Sequence, residues 1–302
     1  MKGVFDTRPL TEYDDDVSRR YHFPNRYLAE AERTLNDWII YREPRRGKGR
    51  KGYVAVARVD TVQADPSDSG HSYAYVHDYL EFDRVVPLRR GSRYYETRLA
   101  SIPPQQIGRS LQGKSVRTIT QEEFGEIVLT GLADTLSDDR PHRSDYAISE
   151  ADRLLQAFLQ APPEEQNRRI AHLLVNRPLR DRAFRRSVIT AYGETCAVTG
   201  LRIVNGGGRA EVQAAHIRAV QDGGPDIVQN GLALSATCHW LFDRHLISLT
   251  DEYGLLVAHN RVPNEYQNLF SNQLKRIHLP DERRLWPHPA YIEWHRNRFL
   301  SG

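Results

Sequence analysis

"QAAHIRAVQDGGPDIVQNGLALSATCHWLFDRH", residues 213–245, is the stretch on which the reading of this chain turns. It holds His216, Asn230 and His239, with a Gly-Gly turn and a short apolar run between them. "SATCHWLFDRHL" is expected to start a helix with Ser235 as its N-cap. His239 and Asp243 are four apart, so on that helix both side chains leave the same face. This spacing lets one imidazole and one carboxylate bind a single divalent cation while water fills the remaining positions. Upstream, "ETCAVTGLRI", a turn at "NGGG" (205–208) and "AEVQAAHI" are expected to form strand, turn and strand, ending at His216. A loop then closes on Asn230, and the expected local unit is ββα. Taken alone, His216 reads as a hydrogen-bonded structural histidine, as does His245. Only the joint pattern points to chemistry.

Residues about 193–260 resemble the HNH nuclease family, the ββα-metal fold, in a form that reads AHI, a Gly-rich acidic loop, NGL-x-L and finally H-x-x-F-D. The resemblance implies that His216 is the general base that activates water. It also implies that Asn230 holds the loop by hydrogen bonding and that His239 is a metal ligand. Asp243 sits where many members carry a second helical ligand. One Mg²⁺ or Mn²⁺ per site is the implied cofactor, and Arg218 or Arg244 is an expected phosphate clamp. Two departures stand out. Ala215 occupies a position where many members place a further ligand. Cys196/Thr199 and Ser235/Cys238 stand where many carry two Cys-x-x-Cys pairs for structural zinc. Two thiols do not make a four-ligand zinc site, so both cysteines are read as packing residues and structural zinc is not expected.

The 302 residues are enough for two domains, and 39% hydrophobic with 27% charged residues is ordinary for a globular chain. No apolar run reaches the roughly 18 residues of a membrane span, and "MKGVFDTRPL" lacks a signal-peptide core. With only Cys196 and Cys238, the expected setting is the reducing cytoplasm, with no membrane partner. Net charge is +3, but the charges cluster: "REPRRGKGRKG" (42–52) and "RPLRDRAFRRS" (177–187) are dense in arginine and lysine. Beside a nuclease-like motif, such runs suit a polyanionic partner.

Along the chain, residues 1–135 read as a strand-rich α+β domain, 136–150 as a polar linker, and 151–302 as the nuclease domain with leading helices. A helix is expected within "PNRYLAEAERTL" (24–35), with strands at "GYVAVARVDTV" (52–62), "SYAYVHDYLEFDRVVPL" and "SRYYETRL". "SEADRLLQAFLQ", "PEEQNRRIAHLLVNR" and "RDRAFRRSVITAYG" read as three further helices, the last closed by Gly193.

"WIIYREPRRGKGRKGYVAVARV" followed by "GHSYAYVHDYLEFDRVVPL" resembles PUA-like domains, the superfamily of EVE, SRA and YTH readers. That resemblance implies a β-barrel that stacks an extruded base between aromatics. It makes Trp38, Tyr41 and Tyr73 the first residues to test for the base pocket, with Arg45, Arg46, Lys48 and Lys51 on the phosphates. Fusions of such readers to HNH domains cut double-stranded DNA carrying modified cytosine, and a homodimer would supply the two active sites of a double-strand break. Two rivals stay open: an HNH nuclease reading unmodified DNA, and an inactive nucleic-acid-binding module.

Overall fold

The structure is a computed structural model that describes residues 1–8, 16–45, 49–136, 150–206, 208–270 and 275–299, without the side chains of 150–152. The interior of the expected linker lies outside the described residues, as do Arg46 and Lys48. The described chain divides into two compact units, 1–136 with 150–183, and 184–299. No helix among the described residues is long and apolar enough to cross a membrane.

In the first unit the strands are β1 (Gly3–Asp6), β2 (Arg20–Pro24), β3 (Trp38–Glu43), β4 (Gly52–Ala64) and β5 (His71–Val86), then a two-residue hairpin of β6 (Arg89–Arg90) and β7 (Arg93–Tyr94), and β8 (Val116–Thr118). One mixed sheet runs β2-β5-β4-β3-β1-β8, with β1 parallel to β3 and the other pairs antiparallel. The expected strand at 52–62 forms, buried on both faces through its first half. Among the described residues the sheet does not close into the barrel expected from the sequence. Irregular register between Tyr41/Arg42, Tyr53/Ala55, Val56/Arg58 and Val59/Thr61 curls the sheet. Its short edges, β2 and β8, are far apart in the strand order, which leaves an open half-barrel.

The helix expected over 24–35 shrinks to a 3₁₀ turn at Asn25–Tyr27 and α1 (Leu28–Glu32), because β2 runs on to Pro24 and Asn36 turns the chain with φ 59°. Of "SRYYETRL" only Arg93–Tyr94 pairs as strand, and Thr97–Leu99 is a 3₁₀ turn. After α2 (Ile107–Ser110) comes α3 (Gln121–Gly131), opened by a capping box between Thr120 and Glu123, and α4 (Ala133–Leu136).

The helices that sequence analysis placed with the nuclease, α5 (Glu150–Leu159) and α6 (Pro163–Val175), pack on the first unit instead. Phe158, Ile170 and Leu174 join one core with Phe124, Val128, Val56 and Leu80. Gly125 of α3 makes the approach possible, since a Cβ there would lie 2.0 Å from the Phe158 ring. The apolar stripes on these helices find the exposed face of α3, and that burial decides where they belong. The unit boundary falls within α7 (Arg177–Ala191), between residues 183 and 184.

Buried charge ties the sheet's distal strands together. Arg117, 3% exposed, bonds Asp6 at 2.7 Å and Glu96 at 2.7 Å, and Arg42 bonds the other Asp6 oxygen at 2.6 Å. Tyr53 donates to Glu96 at 2.9 Å. Burial disfavours the charged Glu96, but the guanidiniums of Arg117 and Arg98 outweigh it and hold its carboxyl at about 2.

In the second unit the expected strand at 194–203 is absent. Cys196 N–H bonds back to Leu201 C=O at 2.9 Å and Gly200 takes φ 69°, so this segment is a tight turn. The two strands of the ββα unit are instead β9 (Gln213–His216) and β10 (Gly231–Leu234), antiparallel with His216 opposite Gly231, followed by α8 (Ala236–Asp243). Around 205–208 the described residues show a single bridge, Val204 with Ala210. β11 (Ile247–Leu249) pairs with β12 (Leu255–Val257); α9 (Asn264–Gln267) and α10 (Pro289–Arg296) complete the unit.

Candidate active site

Pairing β9 with β10 makes residues 217–230 the loop of the ββα unit, and Asn230 is what shapes it. Its side chain is fully buried. Nδ2 donates to the carbonyls of Arg218 (3.0 Å) and Pro225 (2.9 Å), while Oδ1 accepts from Arg218 N–H (2.9 Å). An amide is the side chain that can donate twice and accept at once in that position. Gly224 is needed because a Cβ there would sit 1.9 Å from the Arg218 carbonyl oxygen. The "Gly-rich acidic loop" is therefore a knot tied around Asn230.

That knot delivers Asp226 to His216. Asp226 is buried, and its Oδ1 lies 3.0 Å from His216 Nε2, whose side chain is one-fifth exposed at 20%. Phe184 stacks on the imidazole with centroids 3.8 Å apart and planes 8° from parallel. With Nε2–H donating to the carboxylate, Nδ1 keeps its lone pair. The ring is fixed in tautomer, tilt and height, which is what a general base requires. Sequence reasoning missed Asp226: the loop offers Asp222 and Asp226 alike, and only the fold around Asn230 selects between them.

At the other end of β9, Gln213 Oε1 lies 2.9 Å from His239 Nδ1. That contact assigns the proton to Nδ1 and leaves Nε2 as the donor atom on the side of Asp243, whose Oδ2 is 3.4 Å away. Orientation of a ligand histidine through its second nitrogen is the usual support of a metal site. His239 is 24% and Asp243 50% exposed, so the pair is open to incoming water or phosphate. The donor set, one imidazole nitrogen and one carboxylate oxygen, fits a divalent cation that completes its shell with water and substrate. Among the described residues no three His, Cys, Asp or Glu side chains cluster as ligands, and Ala215 is fully buried.

The arginines expected to clamp phosphate have protein partners. Arg218 Nε donates to the Asp222 carbonyl at 2.7 Å, and Arg244 lies over the Trp240 ring at 5.7 Å. His295, given no role from sequence, is buried and stacked on Phe242 at 3.7 Å, with its ring nitrogens bonded to Ser248 (2.9 Å) and the Phe242 carbonyl (3.0 Å). Burial pushes its pKa down to about 3, and it braces α10 against the helix that carries His239. Cys196 and Cys238 are buried, and Cys196 Sγ accepts from Ser235 N–H at 3.3 Å.

The proposed base-pocket residues are not at a site of this kind. Trp38 (3% exposed) and Tyr41 (1%) are core. Tyr73 is buried against His22, rings 4.5 Å apart. The Tyr41 ring packs against Phe5, Tyr21 and Tyr79, and the Tyr73 ring against His22 and Tyr75. Of the expected phosphate contacts in the basic run, Arg45 and Lys51 line a cavity of about 620 Å³ in the first unit.

The HNH endonuclease family model HNH_2 matches residues 196–250. No curated protein matches the chain. Among solved structures, the modification dependent TagI restriction endonuclease is 25% identical, over 39% of this chain and 37% of that one, with a TM-score of 0.31. Rpa0253 from Rhodopseudomonas palustris is 15% identical over 43% of this chain and 92% of its own, TM-score 0.30. The Type IV phosphorothioation-dependent restriction endonuclease ScoMcrA is 14% identical, over 91% of this chain and 53% of that one, TM-score 0.20. The chain thus spans little more than a third of TagI, and none of these scores transfers an architecture. What the family match does cover is the segment holding His216, Asp226, Asn230, His239 and Asp243, and residues 196–250 are an HNH endonuclease domain.

Proposed function

We propose that this chain is a divalent-metal-dependent DNA endonuclease of the restriction type. Its N-terminal unit, read as PUA-like, would direct cleavage to DNA carrying modified cytosine of the 5-methyl or 5-hydroxymethyl kind. The observation that carries the nuclease reading is the equipment of one short strand. Gln213 at one end of β9 orients His239, and His216 at the other end is oriented by Asp226. Gln213 and His216 stand three positions apart on β9, about 10 Å along the strand.

In this reading water attacks phosphorus, the P–O3′ bond breaks, and the water's proton passes to His216 Nδ1. Asp226 holds the ring for that transfer and stabilises the imidazolium that results. A Mg²⁺ or Mn²⁺ held by His239 and Asp243 would supply Lewis-acid stabilisation of the charge gathering on the phosphate. Arg218 and Arg244 would serve as phosphate contacts once released from the Asp222 carbonyl and the Trp240 ring, and a homodimer would provide one site per strand.

The test is digestion of matched plasmids, with and without 5-methyl- or 5-hydroxymethylcytosine, in Mg²⁺ or Mn²⁺. Expected are cuts in the modified plasmid that a chelator stops, and loss of cutting without loss of DNA binding in His216→Ala. Equal cutting of both plasmids would make the N-terminal unit a reader of ordinary DNA. No cutting of either would leave a binding module.

A further inference from the structure

Two arginines of the second unit, Arg185 on α7 and Arg209 beside Gly208, are exposed and line one concavity of about 320 Å³. Its wall also carries Ile203, Asn205, Glu211 and Gln213. Among the described residues neither guanidinium has a hydrogen bond, ion pair or ring partner. Arg218 and Arg244, expected on the phosphate from sequence, are by contrast held by the Asp222 carbonyl and the Trp240 ring. Glu211 is the carboxylate among the described lining residues, and it is committed elsewhere. Its Oε1 accepts from Ala236 N–H at 3.0 Å, at the start of α8, where the helix dipole offsets its charge. The two arginines therefore present positive charge with no free acidic counterpart in the wall.

Two links tie this concavity to the chemistry. Gln213 lines it, and the same side chain lies 2.9 Å, through Oε1, from His239 Nδ1. Arg185 follows Phe184, whose ring stacks on His216 with centroids 3.8 Å apart, so the helix that sets the height of the imidazole also carries this arginine. Arg209 is placed by the turn before it. Asn205 Oδ1 accepts from Arg209 N–H at 2.9 Å, Asn205 N–H donates to Arg209 C=O at 3.0 Å, and Gly208 takes φ 79°. Among the described lining residues none is aromatic, and Ile203 offers an apolar side chain that is 55% exposed. A base would find no ring to stack on there. Sugar and phosphate would find apolar surface and two guanidiniums, contacts that position a strand without reading its sequence.

From this juxtaposition we propose that Arg185 and Arg209 hold a phosphate next to the one that is cut, so that the concavity feeds the strand to His239 and His216 by gripping its backbone. The proposal rests on the nuclease reading and adds to it two positioning residues that the sequence motif does not contain. Guanidinium suits the task, because its planar fork meets two phosphate oxygens at once. The phosphate so held lies outside the bond that breaks. Its contacts are therefore as strong in the bound substrate as in the transition state, and they act on KM and leave kcat alone.

The experiment uses the full chain and a fluorescently labelled DNA duplex containing 5-methylcytosine. Binding is followed by anisotropy in chelator over a salt series, and cleavage in Mn²⁺. The variants are Arg185→Ala, Arg209→Ala and the pair together. Arg202→Ala is the control, since Arg202 is exposed, paired with Glu194 and outside the lining. Each single variant should make the slope of log K against log salt shallower by about 0.9, and the pair by about twice that, with the control unmoved. In cleavage the pair should raise KM roughly tenfold or more at unchanged kcat, the scale of a lost charge-assisted contact. Neutral methylphosphonates placed one at a time along each strand then locate the contact. At one position beside the cut, the replacement should weaken binding by the parent and leave the double variant unaffected. Slopes equal to the parent's, additive losses at every position, or a fall in kcat at unchanged KM would overturn the proposal. Because the binding arm needs no cleavage, the two ideas fail separately. A position-specific loss without any cutting removes the nuclease and keeps the phosphate contact, whereas metal-dependent cutting with additive losses keeps the nuclease and removes the contact.

Discussion

Replacing Asn230 by alanine puts the fold and the site to the same test. The side chain is fully buried and makes three hydrogen bonds of 2.9–3.0 Å to Arg218 N–H, Arg218 C=O and Pro225 C=O. Alanine orphans one backbone donor and two carbonyls in a place water does not reach. At about 1–1.5 kcal/mol for each net bond, and more where the partner stays dry, the loss comes to about 3–5 kcal/mol. For a unit of this size about 3–4 °C accompanies each kcal/mol, so its melting midpoint falls by roughly 10–20 °C. Trp240, Trp286 and Trp294 all lie in the second unit and only Trp38 in the first, so tryptophan emission follows the right transition. Asn230→Asp keeps the acceptor for Arg218 N–H but faces two carbonyls with a carboxylate, and is expected to fall at least as far. Cleavage should drop with both, since Asp226 reaches His216 only from a tied loop. A midpoint within about 3 °C of the parent for Asn230→Ala would refute the loop-tying argument.

Asp226→Asn should lower the cleavage rate by roughly 10²–10⁴, because an amide can donate as well as accept and no longer selects the Nδ1 lone pair; unchanged single-turnover rates would remove Asp226 from the machinery. Gln213→Leu frees the His239 ring and is expected to raise the Mn²⁺ concentration for half-maximal cleavage roughly 10–100-fold, with DNA binding in chelator unaltered; an identical metal titration argues that Gln213 orients nothing. Glu96 has a folded pKa of about 2 against an ordinary 4.5. Its contribution, roughly 3 kcal/mol, is therefore complete above about pH 4.5 and lost as pH falls toward 2. Glu96→Gln should flatten the acid limb of the first unit's stability between those values, as followed by urea midpoints, and parallel acid limbs would contradict the buried-pair account.

Much of the site is legible in the sequence because its spacing is local. Four residues of helix fix His239 beside Asp243, and NGL with its flanking Gly-Gly predicts a loop closed by Asn230 whatever surrounds it. On that ground the resemblance named the helix and the two side chains it implies as metal ligands. The strand pairing was not legible: 194–203 and 213–216 both read as strand, and only the pairing of β9 with β10 decides that the loop tied by Asn230 lies between 216 and 231.

The basic run at 42–52 shows the same division. As sequence it is one uniform patch. In the fold Arg42 is buried on Asp6, Arg50 bonds Glu43 and Glu81, and Arg45 and Lys51 open onto the cavity. Likewise the amphipathic stripes of α5 and α6 announce that those helices must bury a face, but not which face of which unit receives it. Residue type and periodicity dictate that a strand or helix forms and where its apolar side points. What it meets there depends on contacts between residues far apart in the chain, and so the partners of His216, the fate of each arginine and the seat of the leading helices were decided by tertiary packing alone.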